Sequence, residues 1–391
     1  FFDGDNDGDM DLYVCSGGTE FSQSSSALKD RYYINDGNGV FTLSNQFLPS
    51  TAGYVSSSTV SAGDVDGDGD MDLFVGERMK LLNYGVAGRG FLLKNDGSGK
   101  FEVSPTSGFE NIGMITSSKL LDLDGDQDLD LVLTGEFLGV LFFKNDGGVF
   151  TRVEGPMDQL TGWWRAIATA DVDGDGDQDL IVGNHGLNSR FRASAEQPIR
   201  LYFDDYDNNG FIDPIITGYA EDGKEYPYAL RHNLIDQIKS FKKRFPDYET
   251  YKNAPIQEIF TSEELAASTI LDVKTLETSV LINEGDFKFK VVALPVEAQL
   301  SPMFAIKTGD FDKDGDQDII MGGNLYGAKP EVGRYDASYG VYLENDGQGN
   351  FTAIKDGRGF RVDGEVRDII VNGEEIIISR NSETLVKFKI Q

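Results

Sequence analysis

Apolar residues along this chain come in short runs broken by acidic or glycine-rich turns, as in Leu12-Tyr13-Val14 before Cys15 and in Leu73 to Gly76. Runs this short, rich in β-branched and aromatic residues and bounded by turn pairs, predict strands and not helices. The pattern repeats. A strand (Val60 to Gly63) precedes an Asp-rich loop and a second (Leu73 to Gly76) follows it. A third (Phe91 to Asn95) leads into Asn-Asp-Gly, and a fourth starts at Phe101. The third element recurs as Tyr33-Ile34-Asn35-Asp36-Gly37 with Phe41, Phe143-Lys144-Asn145-Asp146-Gly147 with Phe150, and Leu343-Glu344-Asn345-Asp346-Gly347 with Phe351. Leu281-Ile282-Asn283-Glu284-Gly285 with Phe289 is a variant. Asn-Asp-Gly between apolar runs is a hairpin signal. Four-stranded units recurring at this length predict an all-β, seven-bladed β-propeller. Its blades lie near 1–48, 55–105, 115–154, 163–200, 201–293, 304–355 and 360–391. The last unit has no Asp loop; Val366 to Val371, Glu375 to Arg380 and Leu385 to Ile390 are its strands, with Asn372-Gly373 as the turn. The first unit lacks most of its leading strand and the last its closing one, which suits ring closure with a blade shared between the termini.

Six loops carry the chemistry. Their carboxylates are Asp3, Asp5, Asp7, Asp9 and Asp11; Asp64, Asp66, Asp68, Asp70 and Asp72; and Asp122, Asp124, Asp126, Asp128 and Asp130. The fourth loop has Asp171, Asp173, Asp175, Asp177 and Asp179, and the sixth Asp310, Asp312, Asp314, Asp316 and Asp318. The fifth is looser: Asp205, Asp207, Asn209 and Asp213, with Phe211 at the position that offers a backbone carbonyl. Side chains at loop positions 1, 3 and 5 converge on one centre, a glycine at position 6 permits the reversal (Gln127 replaces it in the third loop), and Asp at position 9 closes the cage. Many hard oxygen donors suit Ca²⁺. About six ions follow, with the fifth site the weakest. The position-12 glutamate of an EF-hand is absent (Val75 and Ile216 stand there), and a strand follows each loop, so the EF-hand reading fails.

The formal charge of −31 falls to −19 if six divalent ions bind, so part of the acidity is a metal signal. That charge argues against nucleic acid and against an anionic membrane surface. No apolar run is long enough to cross a bilayer as a helix. The single cysteine, Cys15, excludes an internal disulfide. The chain opens at Phe1-Phe2 without Met, which reads as the C-terminal part of a longer or processed protein. Extracellular calcium modules bind at roughly 10⁻⁴ to 10⁻³ M, so such loops fill outside the cell.

These loops resemble those of FG-GAP and VCBS repeat proteins, the integrin α-subunit head among them. The chain is also similar to the C-terminal propeller of bacterial surface VCBS-repeat proteins of the ASPIC/UnbV-associated type. The matching stretches are Gly162-Trp163-Trp164, Gly183-Asn184-His185-Gly186-Leu187-Asn188, Gly323-Asn324-Leu325-Tyr326 and Glu331-Val332-Gly333-Arg334-Tyr335-Asp336. The resemblance implies a calcium-binding seven-bladed propeller at the cell surface or outer membrane of a bacterium, with no settled activity. The Phe-Gly and Gly-Ala-Pro strings of integrins are not intact, so integrin-like ligand binding is not implied.

In a propeller the metal loops and Asn-Asp-Gly turns share one face, and the longer connections share the other. Those connections are Gly17 to Arg31, Glu77 to Gly90, Gly183 to Ile199, Tyr219 to Leu276 and Gly322 to Gly340. Long loops on a rigid scaffold carry recognition. Trp163, Trp164, His185, Asn188, Arg190, Tyr326, Arg334, Tyr335 and Asp336 fall on that face and either line a pocket or pin the loops. One of the two adjacent tryptophans is expected to point away from the core. Within the fifth blade, 220–275 reads as a helical insertion. Leu230, Leu234, Ile235, Ile238, Phe241 and Phe245 fall at helical spacing, with Lys239, Lys242, Lys243 and Arg244 as a basic edge, and Thr261 to Glu264 form a capping box.

With two histidines, no nucleophile elbow, no phosphate loop and no Cys/His cluster, the sequence favours a non-enzymatic surface interaction or adhesion protein. Its partner is a protein, or it is a subunit of an outer-membrane assembly. A carbohydrate-binding propeller recognising a surface glycan is the alternative, and a polysaccharide-degrading enzyme the second.

Overall fold

The computed structural model describes residues 1–50, 52–105 and 108–389. It is all-β and antiparallel, and its described strands fall into seven sheets. The first sheet is β1 (Leu12–Val14), β2 (Arg31–Asn35) and β3 (Phe41–Leu43). The second is β4 (Ser56–Gly63), β5 (Asp72–Met79), β6 (Gly90–Asn95) and β7 (Phe101–Val103). The third is β8 (Met114–Leu121), β9 (Asp130–Leu138), β10 (Leu141–Asp146) and β11 (Val149–Val153), and the two-residue β12 (Gly162–Trp163) also pairs with β9.

The next sheets differ from the sequence expectation. Strands β13 (Ala166–Ala170) and β14 (Asp179–Gly183) do not form a unit with β15 (Ile199–Asp204) and β16 (Asp213–Tyr219) nearby. The latter two pair with β17 (Glu225–Pro227) and β18 (Thr269–Val273) in the order β17-β16-β15-β18. The fourth sheet is completed by β19 (Ser279–Asn283) and β20 (Phe289–Ala293), with Leu180 opposite Leu281. Residues 163–200 and 201–293 are therefore not successive units: a whole sheet is inserted between the second and third strands of another. The expected helices lie inside that insertion, between β17 and β18, as α1 (Arg231–Gln237), α2 (Phe241–Arg244), α3 (Tyr248–Tyr251), α4 (Ile256–Ile259) and α5 (Ser262–Ala267). Thr261 caps α5 and Glu264 returns the bond, as the capping box predicts.

The fifth sheet is β21 (Met303–Gly309), β22 (Asp318–Gly323), β23 (Val341–Asn345) and β24 (Phe351–Ala353). The sixth is β25 (Val366–Asn372), β26 (Glu375–Arg380) and β27 (Val386–Lys389); the end of the strand expected at 385–390 lies outside the described residues.

The chain divides into two compact units. One holds Phe1–Val60, Asp70–Ile115 and Phe191–Thr275, and the other Ser61–Gly69, Thr116–Arg190 and Leu276–Gln391. In the second unit successive strand residues feed different cores. Leu180 and Val182 of β14 pack with Val132, Phe142 and Trp164, whereas Ile181 packs with Val280, Ile319 and Leu343. Ile320 turns the other way, toward Tyr342, Ile369 and Ile378. Sheets covered on both faces explain why these strands are continuously apolar and do not alternate. Each such side chain contributes about 1.5–3 kcal/mol by burial. In the first unit, Tyr202 and Ile215 of the inserted sheet pack under Leu234, Ile238, Phe241, Ile259 and Phe260 of its helices. The insertion also meets the segment after β5: Ile212 N–H donates to Asn83 Oδ1 at 3.3 Å, and Gly85 lies against Leu201 and Phe203.

Candidate metal centres

The Asp loops share one hydrogen-bond plan, visible in five or more copies. The first carboxylate folds the loop around itself. Asp122 accepts from the N–H groups of Gly125 at 2.8 Å and Gln127 at 3.0 Å, and Asp171 from Gly174 at 2.7 Å and Gly176 at 3.0 Å. Asp64, Asp205 and Asp310 do the same within their loops. Position 6 has a left-handed backbone throughout, from Gly8 at φ 92° to Gly315 at φ 105°, and Gln127 holds it at φ 76°. Position 4 is left-handed too, which the sequence reading did not anticipate. Asn6, Gly67, Gly125, Gly174, Asn208 and Lys313 occupy it, and the glycine and asparagine there were the available signal.

Position 9 is the deepest carboxylate. Asp179 is fully buried and accepts from Val172 N–H at 2.8 Å and Asn283 N–H at 2.7 Å. Asp130 accepts from Leu123 and Asn145, and Asp318 from Phe311 and Asn345. This residue ties its loop to the hairpin asparagine of the same sheet, a structural duty beyond the cage-closing role expected of it. The asparagine reaches further. Asn95 Nδ2 donates to Gly4 O, Asn145 to Val65 O, Asn283 to Leu123 O and Asn345 to Val172 O, at 2.7 to 3.2 Å. Each acceptor is position 2 of the Asp loop of the preceding sheet. Sequence reasoning saw only a turn residue there.

Position 3 is different. Asp5, Asp124, Asp173 and Asp207 each present a buried Oδ1 with no hydrogen-bond partner. A buried, unmatched carboxylate oxygen is costly unless a cation meets it. Carboxylate oxygens of Asp3, Asp5 and Asp7 lie within 4.8 Å of one another, as do those of Asp64, Asp66 and Asp68. The same holds for Asp122, Asp124 and Asp130, for Asp171, Asp173 and Asp179, and for Asp205, Asp207 and Asp213. Burial and then neighbouring carboxylates push Asp5 and Asp173 above the ordinary range. Burial raises Asp130, Asp179 and Asp213 to about 6. Crowded, desolvated carboxylates of this kind are stabilised by a divalent ion, and an all-oxygen donor set fits calcium. These Asp-rich groups can hold metal ions.

The residues expected on a ligand face divide. Trp164 is fully buried, donates Nε1–H to Leu160 O at 3.2 Å and belongs to an apolar core. Trp163 is also buried, edge-on to Phe137 and to His185 at 5.2 Å between centroids. The two tryptophans face different neighbours, and Trp163, outside that core, is covered by Phe137 and His185 and not open to a ligand. Gly162 pairs with Leu138 and Trp163 with Glu136, so the extra residue of this bulge, Phe137, lies on β9. His185 continues the row to Tyr335 at 4.9 Å; burial first, then Arg165, hold it neutral with a pKa lowered to about 3. Tyr335 pairs with Leu325 backbone to backbone, and Arg334 lies 5.0 Å over the Tyr326 ring. Asn188 donates to Leu300 O at 3.2 Å, while Arg190 and Asp336 are exposed.

A family profile described as "FG-GAP-like repeat" matches residues 3–75 and 122–182. A search of curated proteins finds no match. The crystal structure of the V. cholerae biofilm matrix protein Bap1 aligns with 92% of this chain and 73% of its own, at 12% identity and a TM-score of 0.32. A likeness that slight carries no argument about fold or function.

Proposed function

We propose that the chain is a calcium-stiffened β-propeller acting outside the cell as a non-enzymatic binding scaffold. The observation that carries the metal reading is the buried, unpartnered Oδ1 of Asp5, Asp124, Asp173 and Asp207 at one loop position. The propeller reading rests on the asparagine bonds, which link sheet to sheet in chain order and pass over the inserted one. These bonds join five sheets, the sixth packs on the fifth through Ile320, Ile369 and Ile378, and β15–β18 with its helices is then an appended module. Calcium loops of modest affinity fill outside the cell and stay empty in cytosol, which motivates the surface or outer-membrane location of a bacterium. The partner is a protein, met through the long connections between second and third strands, or the chain is part of an outer-membrane assembly. Burial of both tryptophans removes the motive for a sugar-stacking site.

Calcium held tenfold above its dissociation constant adds about 1.4 kcal/mol per filled loop, so several loops together govern resistance to opening. Protease added to intact cells is expected to spare the chain in calcium and to digest it once calcium is chelated. Digestion that requires cell lysis would contradict the external location, and digestion indifferent to calcium would contradict the stiffening role.

A further inference from the structure

The loops are alike in sequence but unlike in what stands beside them. The residue before the hairpin asparagine is Ile34 in the first sheet, Lys94 in the second, Lys144 in the third, Ile282 in the fourth and Glu344 in the fifth. In the third sheet the Lys144 ammonium lies 2.9 Å from Asp126 Oδ2 and also binds Asp124 Oδ2. It occupies loop positions 3 and 5, the pair a cation would share. Asp124 Oδ1 still faces the loop without a partner, so the donor set is engaged but not consumed. Arg358 makes a lesser version in the sixth loop, 3.0 Å from Asp312 Oδ2 while also bound to Glu344. Ile34 and Ile282 bring no charge to the first and fourth loops.

We propose that Lys144 is a built-in counter-ion that competes with calcium for Asp124 and Asp126. The third loop then fills only after the first and fourth, with the sixth between them. This rests on the reading that the loops take calcium. A unit positive charge in contact with two ligands opposes a divalent ion arriving there. Lys144 is partly exposed, so it can swing into solvent and yield the site at a cost in affinity. Nothing in the Asp pattern distinguishes the loops; the distinction comes from one residue on a neighbouring strand.

The test is isothermal calorimetry of the full chain, stripped of metal and titrated with calcium chloride. Lys144→Met is expected to tighten one site by about tenfold without changing the number of sites. Ile34→Lys is expected to weaken one tight site comparably. Isotherms unchanged by either substitution, or weakened by Lys144→Met, would overturn the proposal. Should Lys144→Met fail to fold by circular dichroism, Ile34→Lys decides alone, and an unchanged isotherm there rejects the idea. A wild-type chain that takes up no calcium would instead reject the metal reading beneath it.

Discussion

The fourth sheet and the sheet inserted into it carry the same kind of Asp loop in two different settings. In the fourth, five carboxylates stand between β13 and β14, and Asp179 binds both its own loop and the hairpin asparagine Asn283. Asn345 of the following sheet then holds Val172 O of that loop at 2.7 Å. In the inserted sheet, Asn209 and Phe211 replace two carboxylates, and Asp213 accepts one backbone N–H, from Tyr206 at 3.1 Å. Strand β18 runs along the far side of β15, and helices cover one face of the sheet at Tyr202 and Ile215. The loop therefore builds its own turn anywhere, because its bonds are local. Joining one sheet to the next is a separate function, and it belongs to the asparagine hairpin.

Removing the ninth carboxylate sharpens this contrast most. Asp179→Ala strands two buried N–H donors, each worth about 1–3 kcal/mol, and is expected to cost more than Asp213→Ala in urea unfolding. Equal losses would mean that the hairpin bond adds nothing. Next in size is Asn345→Ala, which removes the side-chain bonds to Val172 O and Gln317 O and leaves Val172 O with Gly349 N–H alone; a loss of about 1–2 kcal/mol is expected from the same measurement. A neutral outcome would break the claim that the asparagine couples sheets. Smallest is Gln127→Gly. Gln127 holds φ 76° where the fourth loop has Gly176 at φ 101°, so the substitution is expected to raise stability by about 0.5–1 kcal/mol. A destabilised variant would show that the Gln127 side chain has a role its backbone does not suggest.

The Asp loops were legible because their main requirements are met within nine consecutive residues: carboxylates at alternate positions and, in five of the six loops, glycine at position 6, where the backbone turns left-handed. The capping box at Thr261 was legible for the same reason. The sheet order was not. Leu281 pairs with Leu180 across the whole insertion, and an apolar run does not state its partner. Two Asp loops in succession therefore read as two successive units, when one interrupts the other. The tryptophan pair misled because alternation says which way a side chain turns and not what covers it: Trp163 turns to Phe137 and His185, which bury it. Lys144 and the asparagine bonds to the preceding loop stayed hidden for a related reason: their partners are set by which strands lie side in side, not by spacing along the chain.

The central claim is that a hard cation meets the buried carboxylate oxygen at the third loop position. Crystals grown in millimolar calcium, with anomalous differences measured at long wavelength, test it directly. The account predicts an anomalous peak in the loops, bonded to Oδ1 of Asp5, Asp124, Asp173 and Asp207. Loops without a peak, with water or nothing against those oxygens, would contradict it.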